Sequence, residues 1–181
     1  MHLKQGAKHV IKGGGNVNFL GLDLSVANTG VVVIDQNNKI LHKDVLRTKP
    51  KTSTESRIII IWDGVLQVHN NFKPQFIYIE ELAYGARGDA MLELAGVNYY
   101  VRTRFTALQI AFKMITPGTL KKFVTGKGTG KKELMLKEVY KKWGEDFDDN
   151  NECDAYCLAR MAWTENQPKV NKIKQTKLKL R

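Results

Sequence analysis

Asn18-Phe-Leu-Gly-Leu-Asp-Leu-Ser-Val-Ala-Asn-Thr-Gly-Val-Val-Val-Ile-Asp35 reads as an apolar strand, a tight polar turn and a second apolar strand. Asp23 lies inside the first strand. An acid in so apolar a run is costly to bury unless it is paired or holds a metal. Alternation puts Phe19, Gly21 and Asp23 on one face of the strand and Leu20, Leu22 and Leu24 on the other. By itself Asp23 fits two roles, a cap on the Ser25 to Thr29 turn or a ligand. Whether other carboxylates come to the same place decides between them.

The remaining chain can be read outward from that hairpin. Residues 17–24 and 30–36 are its strands, and Ile40 to Leu46 is a third, edge-like strand. A polar loop with Pro50 precedes a helix from Arg57 to Asn70, capped by Ser53 or Thr54, with Ile60, Ile61, Val65, Leu66 and Val68 on its buried side. Phe76-Ile-Tyr-Ile-Glu80 is short and wholly apolar until its last residue, as expected of a central strand covered on both faces. Leu82 to Arg87 is a loop, and Asp89 caps a long helix to about Leu108. Ile110 to Ile115 is a fifth strand, followed by a short helix from Gly118 to Val124 and a basic loop, Thr125-Gly-Lys-Gly-Thr-Gly-Lys-Lys132. The last two helices span Lys132 to Trp143, with Leu134, Leu136, Val139 and Tyr140 as apolar positions, and Glu152 to Trp163. This order predicts an α/β fold, a five-stranded mixed sheet flanked by helices.

The chain has 181 residues, enough for one domain with a sizeable core. Its 29 Lys and Arg against 18 Asp and Glu leave a net charge of +11, which favours a polyanionic partner, nucleic acid first and an anionic membrane second. Nine of those charges lie in two basic ends, read as a flexible N-terminal tail over 1–16 and a basic C-terminal tail over 166–181, around a domain over 17–165. No apolar run reaches the roughly 18 residues of a spanning helix, and no signal-peptide core is present. Cys153 and Cys157 are the only cysteines, without a second pair for zinc, and read as reduced core residues of a cytoplasmic protein.

Three acids from separate segments point to one place. Asp23 and Glu80 stand at strand ends, where groups of an open α/β sheet converge on a ligand-binding crevice. Asp154 is on the last helix, with Asn151 one turn earlier on roughly the same face. Asp149 and Glu152 also fit a helix capping box, and Glu80 also fits a surface acid that ends a strand. Carboxylates grouped this way suit Mg²⁺ or Mn²⁺, and two such ions can serve phosphodiester hydrolysis. The excess of Lys and Arg is then explained by a nucleic acid held by cations and cut at the acids.

These segments resemble the RuvC-type Holliday junction resolvases of the RNase H-like superfamily. Phe-Leu-Gly-Leu-Asp-Leu-Ser-Val-Ala-Asn-Thr-Gly resembles the family's first strand and turn, and Ile-Glu-Glu resembles its second acid. Thr125-Gly-Lys-Gly-Thr-Gly-Lys-Lys-Glu resembles its Gly-containing loop, and Glu-Cys-Asp-Ala-Tyr-Cys-Leu-Ala its C-terminal helix, in a form closer to phage members. The resemblance implies Asp23, Glu80 and Asp154 as metal-binding acids, with Asn151 and Glu152 beside them. It implies Lys132, and more loosely Lys121, as basic residues near the scissile phosphate; both also suit plain surface charge. Lys127, Lys131 and Arg87 complete the expected DNA contacts, and Tyr84 stands near the family's junction-inserting aromatic. The helix from Asp89 matches the family's dimer helix.

The expected protein is thus a homodimeric endonuclease of the cytoplasm of a bacterial or phage-infected cell, needing no membrane and no small-molecule cofactor. It would cut four-way junctions by paired, metal-dependent hydrolysis, leaving 5′-phosphate and 3′-hydroxyl ends. One position departs from the bacterial pattern, in which an acid or His stands three residues before the last Asp; here it is Asn151. Rival readings are a related nuclease acting on other branched DNA or RNA/DNA hybrids, and a non-catalytic branched-DNA-binding protein. A third and weakest rival is an actin-like kinase fold, whose ATP-phosphate hairpin the first strands also resemble; that fold needs two such domains, and this chain is short for them.

Overall fold

The continuous apolar run around Gly21 produces a central strand covered on both sides. In a computed structural model that describes residues 16–82, 88–128 and 132–167, apart from the side chains of 132 and 133, β1 (Asn18–Asp23) pairs antiparallel with β2 (Asn28–Asp35) and parallel with β4 (Phe76–Glu80). β3 (Ile40–Arg47) lies antiparallel outside β2, and β5 (Lys113–Ile115) parallel outside β4, giving the order β3-β2-β1-β4-β5. The helices are α1 (Thr54–Phe72), α2 (Asp89–Ala107), α3 (Pro117–Thr125), α4 (Lys132–Trp143) and α5 (Asn150–Asn166).

The hairpin turn is held by side chains. Thr29 is fully buried; its hydroxyl donates to the Ser25 carbonyl at 2.6 Å and accepts from the Ser25 amide at 3.0 Å. The Ser25 hydroxyl in turn accepts from the amides of Ala27 and Asn28. Small hydroxyl residues that bond their own backbone make such a turn compact.

Period-two alternation splits the core into two layers. Phe19, Val32, Ile34 and Tyr78 face α5, with α3 and α4 beside it. Leu20, Leu22, Val31, Val33, Ile77 and Ile79 face α1 and α2. Asp23 and Glu80 continue the α5-facing sets of their strands.

Several elements differ from expectation in detail. α1 starts at Thr54, with Ser53 as its cap, and buries Arg57, Ile61, Trp62, Val65 and Val68. Ile60 is instead exposed and Leu66 only partly buried, because a period of 3.6 turns these positions away from the stripe set by 57, 61, 65 and 68. Asp89 is the first residue of α2; the cap is Gly88, whose φ of 64° suits glycine. β5 is three residues long, because Gln109 (φ 58°) turns the chain and Ile110 and Phe112 pack against the α1–α2 layer. In α4 the buried pair is Met135 and Val139, four residues apart, while Leu134 and Leu136 are partly buried and Tyr140 is exposed. α3 begins at Pro117, with Thr116 as its cap. α5 begins at Asn150, two residues early, and runs through Asn166, where the C-terminal tail was expected to start. Residues 168–181 of that tail, residues 1–15, Tyr84, Arg87, Lys131 and the Lys132 side chain lie outside the described residues.

Candidate active site

β1 and β4 are parallel neighbours paired up to Leu22 and Ile79, so the next residues, Asp23 and Glu80, stand side by side at the strand ends. Bringing the third acid to them requires α5 to lie unusually close to the sheet. Two glycines permit it. A Cβ built on Gly21 would run into the Ala155 carbonyl oxygen and lie 2.7 Å from the Ala159 amide nitrogen. One on Gly30, the register partner of Asp23, would run into the Asn151 carbonyl and lie 3.1 Å from the Glu152 nitrogen. The backbone of α5 therefore rests on the β1–β2 hairpin itself.

The start of α5 is fixed from the other side by β3. Asp149 caps the helix by accepting from the Asn151 amide at 2.8 Å, and Arg47 pairs with Asp149 at 3.0 Å. Lys43 approaches Glu152 at 3.8 Å and lies over the Phe147 ring. The first turn of α5 is thus held between the hairpin and two cations of β3.

The outcome is a cluster in which one carboxylate oxygen each from Asp23, Glu80 and Asp154 lies within 4.8 Å of the others, all three residues half-buried. Like charges this close resist joint ionisation unless a cation joins them. The donors are hard carboxylate oxygens, the kind that Mg²⁺ and Mn²⁺ accept, so the residues fit a divalent ion. A small cavity of about 70 Å³ opens beside them, lined by Asp23, Leu24, Glu80, Glu81, Leu82, Leu94 and Asn98.

The other expected site residues are distributed differently. Asn151 is half-buried, and its side-chain amide donates to Asp149 at 3.1 Å. Glu152 is outside the carboxylate cluster and is directed to Lys43. Lys121 is half-buried on α3, and Lys127 is exposed in the turn that follows it. Lys132 opens α4. Sequence reasoning missed Asn98, Lys43 and Arg47. Asn98 left a signal, a polar residue at a core position of a helix that buries Val97, Val101 and Phe105. The two cations left none, since an exposed edge strand ordinarily carries charge.

Comparison with known proteins gives a match over residues 19–157 to the model of the family described as crossover junction endodeoxyribonuclease RuvC. The chain belongs to the RuvC family. The matched stretch runs from β1 into α5 and so contains all three clustered acids. Its RuvC relatives include the crossover junction endodeoxyribonuclease of Fusobacterium nucleatum, 29% identical over 152 residues that cover 80% of each chain. That of Brachyspira hyodysenteriae is 24% identical over 143 residues, covering 77% of this chain and 89% of its own. Among solved structures, Thermus thermophilus RuvC in complex with a Holliday junction substrate superposes with a TM-score of 0.69 at 20% identity, over 79% of this chain and 90% of that one. The chain thus has the RNase H-like fold of RuvC, with the expected five-stranded mixed sheet. This RuvC-family chain is an endodeoxyribonuclease. Among the described residues no helix is long and apolar enough to cross a membrane.

Proposed function

We propose that this RuvC-family endodeoxyribonuclease resolves four-way DNA junctions by paired hydrolysis of phosphodiester bonds, leaving 5′-phosphate and 3′-hydroxyl ends. The observation that carries this reading is the approach of Asp23, Glu80 and Asp154 to within 4.8 Å at the end of a parallel strand pair, in a chain of that family.

Asp23, Glu80 and Asp154 are the residues that would hold Mg²⁺ or Mn²⁺, two ions per site, with Asn151 able to add a neutral oxygen. When bound, such ions supply the polarisation that activates water and stabilises the leaving oxygen in phosphodiester hydrolysis. The protein's own contribution is placement. The two strand ends and α5 hold three acids on one wall, and the basic residues hold the backbone on which they act. Lys132, at the start of α4, is our candidate for a cation at the scissile phosphate. Lys121, Lys127, Lys131 and Arg87 are assigned to the phosphates on either side, and Tyr84 to a base at the branch point. Glu152 serves here through its contact with Lys43.

Two copies acting across a junction would give the paired nicks. The exposed Leu92 and Tyr99, seven residues apart on one side of α2, support α2 as the dimer helix. We place the activity in the cytoplasm of a bacterial or phage-infected cell. The net charge of +11 suits the DNA partner.

The test is incubation of an immobile four-way junction with the protein in Mg²⁺, Mn²⁺ or EDTA. Symmetric nicks that appear only with metal and can be religated are the expected result. Cleavage of an RNA/DNA hybrid in preference to the junction would sink the substrate assignment. Tight junction binding without cutting in either metal would make the protein a binding module.

A further inference from the structure

We propose that Asn98, in the middle of α2, is a positioning residue for the carboxylate cluster, acting through the main chain of Glu80. This rests on the reading of Asp23, Glu80 and Asp154 as the metal site.

Asn98 is 1% exposed and lies on the same buried side of α2 as Val97, Val101 and Phe105. Among the described residues it is one of three buried polar side chains, with Thr29 and Arg57. A primary amide in such a place destabilises the fold unless its donor and acceptor both find partners. Thr29 bonds within its own turn, and Arg57 reaches Thr48 and Glu93. Asn98 instead reaches the active site. Its Nδ2 donates to the carbonyl oxygen of Glu80 at 3.3 Å, while its Oδ1 accepts from an Arg102 guanidinium nitrogen at 3.3 Å.

Glu80 is where β4 ends and the chain leaves the sheet. Its pairing partner in β5 is Ile115, and the β1 ladder has already stopped at Leu22 and Ile79. The peptide that follows Glu80 is held at its N–H, where Glu81 donates to the Ile115 carbonyl at 2.8 Å, and at its C=O, past the end of the β1 ladder, by the Asn98 amide. Asn98 and Glu80 belong to the walls of one cavity, together with Asp23. The Asn98 bond therefore supplies the second hold on the peptide of the residue whose side chain joins Asp23 and Asp154. A leucine at 98 would pack in similar volume; the amide adds direction to that packing.

Arg102 sets the direction of the amide. It sits one turn along α2, and its guanidinium lies 4.9 Å from the centre of the Tyr99 ring. With Arg102 donating to Oδ1, the Asn98 nitrogen is turned toward Glu80 and cannot flip without losing both bonds. The connection runs from the exposed Tyr99 ring through Arg102 and Asn98 to Glu80, so a helix outside the carboxylate cluster holds one of its members.

The experiment measures Mn²⁺ uptake by the full chain without DNA, from the electron paramagnetic resonance signal of free Mn²⁺, for wild type, Asn98→Leu and Arg102→Leu. Asn98→Leu is expected to weaken uptake about tenfold, as loss of an outer support of a metal ligand does, while metal-free melting stays within a few degrees of wild type. Arg102→Leu, which frees the amide to rotate but leaves it in place, is expected to weaken uptake measurably but less than Asn98→Leu does. Wild-type uptake by a folded Asn98→Leu overturns the positioning role. If Asn98→Leu does not fold, Arg102→Leu decides, and wild-type uptake there overturns it. Failure of the wild type itself to take up Mn²⁺ would remove the metal-site reading, and this inference with it.

Discussion

Gly21 lies against Ala155 with no room for a single methyl group between them: a Cβ on Gly21 would enter the space of the Ala155 carbonyl oxygen. Ala155 follows Asp154 directly, so the contact that brings helix to strand also delivers the third carboxylate to the other two. The atoms in the way are backbone, which cannot rotate aside as a side-chain tip can.

Gly21→Ala should therefore move α5 outward or strain it, at a cost of about 1–3 kcal/mol or more. For a chain of this size that is a fall in melting temperature of roughly 2–4 °C per kcal/mol. Cleavage should fall more than stability, because Asp154 moves with the helix. Gly30→Ala should behave alike through Asn151. Gly118→Ala, whose nearest new neighbour is 3.8 Å away, should be close to neutral. Melting curves and junction-cleavage rates on the three variants check this; a silent Gly21→Ala would contradict the close approach.

Asp23→Asn, Glu80→Gln and Asp154→Asn each remove one charge from a crowded cluster. The rise in melting temperature that Mg²⁺ gives the wild type should shrink or vanish. Cleavage should drop by about a hundredfold or more while junction binding in EDTA persists. Loss of binding in step with cleavage would mean that the acids serve the fold.

Asn151→Asp tests the departure from the bacterial pattern. Asn151 now donates to Asp149, the cap of α5, and an aspartate there would set two carboxylates against each other. In EDTA the variant should lose about 1 kcal/mol, the usual worth of a cap. With Mg²⁺ the gap should narrow, the added carboxylate turning from Asp149 to the ion. A gap indifferent to Mg²⁺ would place residue 151 outside the reach of the ion.

Alkaline pH should unfold the protein. Burial, partly offset by the positive charge of Arg160, pushes the Tyr156 phenol up from 10.0 to about 12. Burial and a hydrogen bond to Glu165 push Tyr78 upward as well. A phenol with a raised folded pKa stays neutral in the fold but ionises in the unfolded chain from about pH 10. Its contribution is therefore complete below pH 10 and is lost as pH rises through the folded value. Urea midpoints at pH 9 and pH 11 should differ clearly for wild type. The difference should shrink in Tyr156→Phe, which keeps the ring contacts with Trp143 and Phe147.

Cys153 and Cys157 are both buried, and burial, with a further contribution from the neighbouring Cys153, raises the Cys157 thiol well above its usual range. Only thiolates react readily with alkylating agents. Iodoacetamide at pH 8 should leave both thiols unmodified in the native protein and label both in urea, as read by intact mass. Rapid native labelling of Cys157 would mean that α5 lifts off the sheet.

The sequence by itself determined the layering. In the apolar runs Phe19–Leu24 and Phe76–Glu80 each residue was assigned to a face by the pleat, because a strand has a side-chain period of two. The sequence also marked Asp23, Glu80 and Asp154 as candidates, since an acid in an apolar run is costly to bury unless it is paired or holds a metal, though Asp23 also fitted a turn cap and Glu80 a surface acid. Helix stripes were less legible. Ile60 looked buried because hydrophobicity alone does not phase a helix; the tertiary neighbours chose Arg57 and Trp62 instead. Only the fold decided that Gly21 and Gly30 are places of contact, that Lys43 and Arg47 hold the start of α5, and that Asn98 bonds Glu80. Each of these joins segments distant along the chain, and no local period or propensity encodes which residues will meet once the layers close.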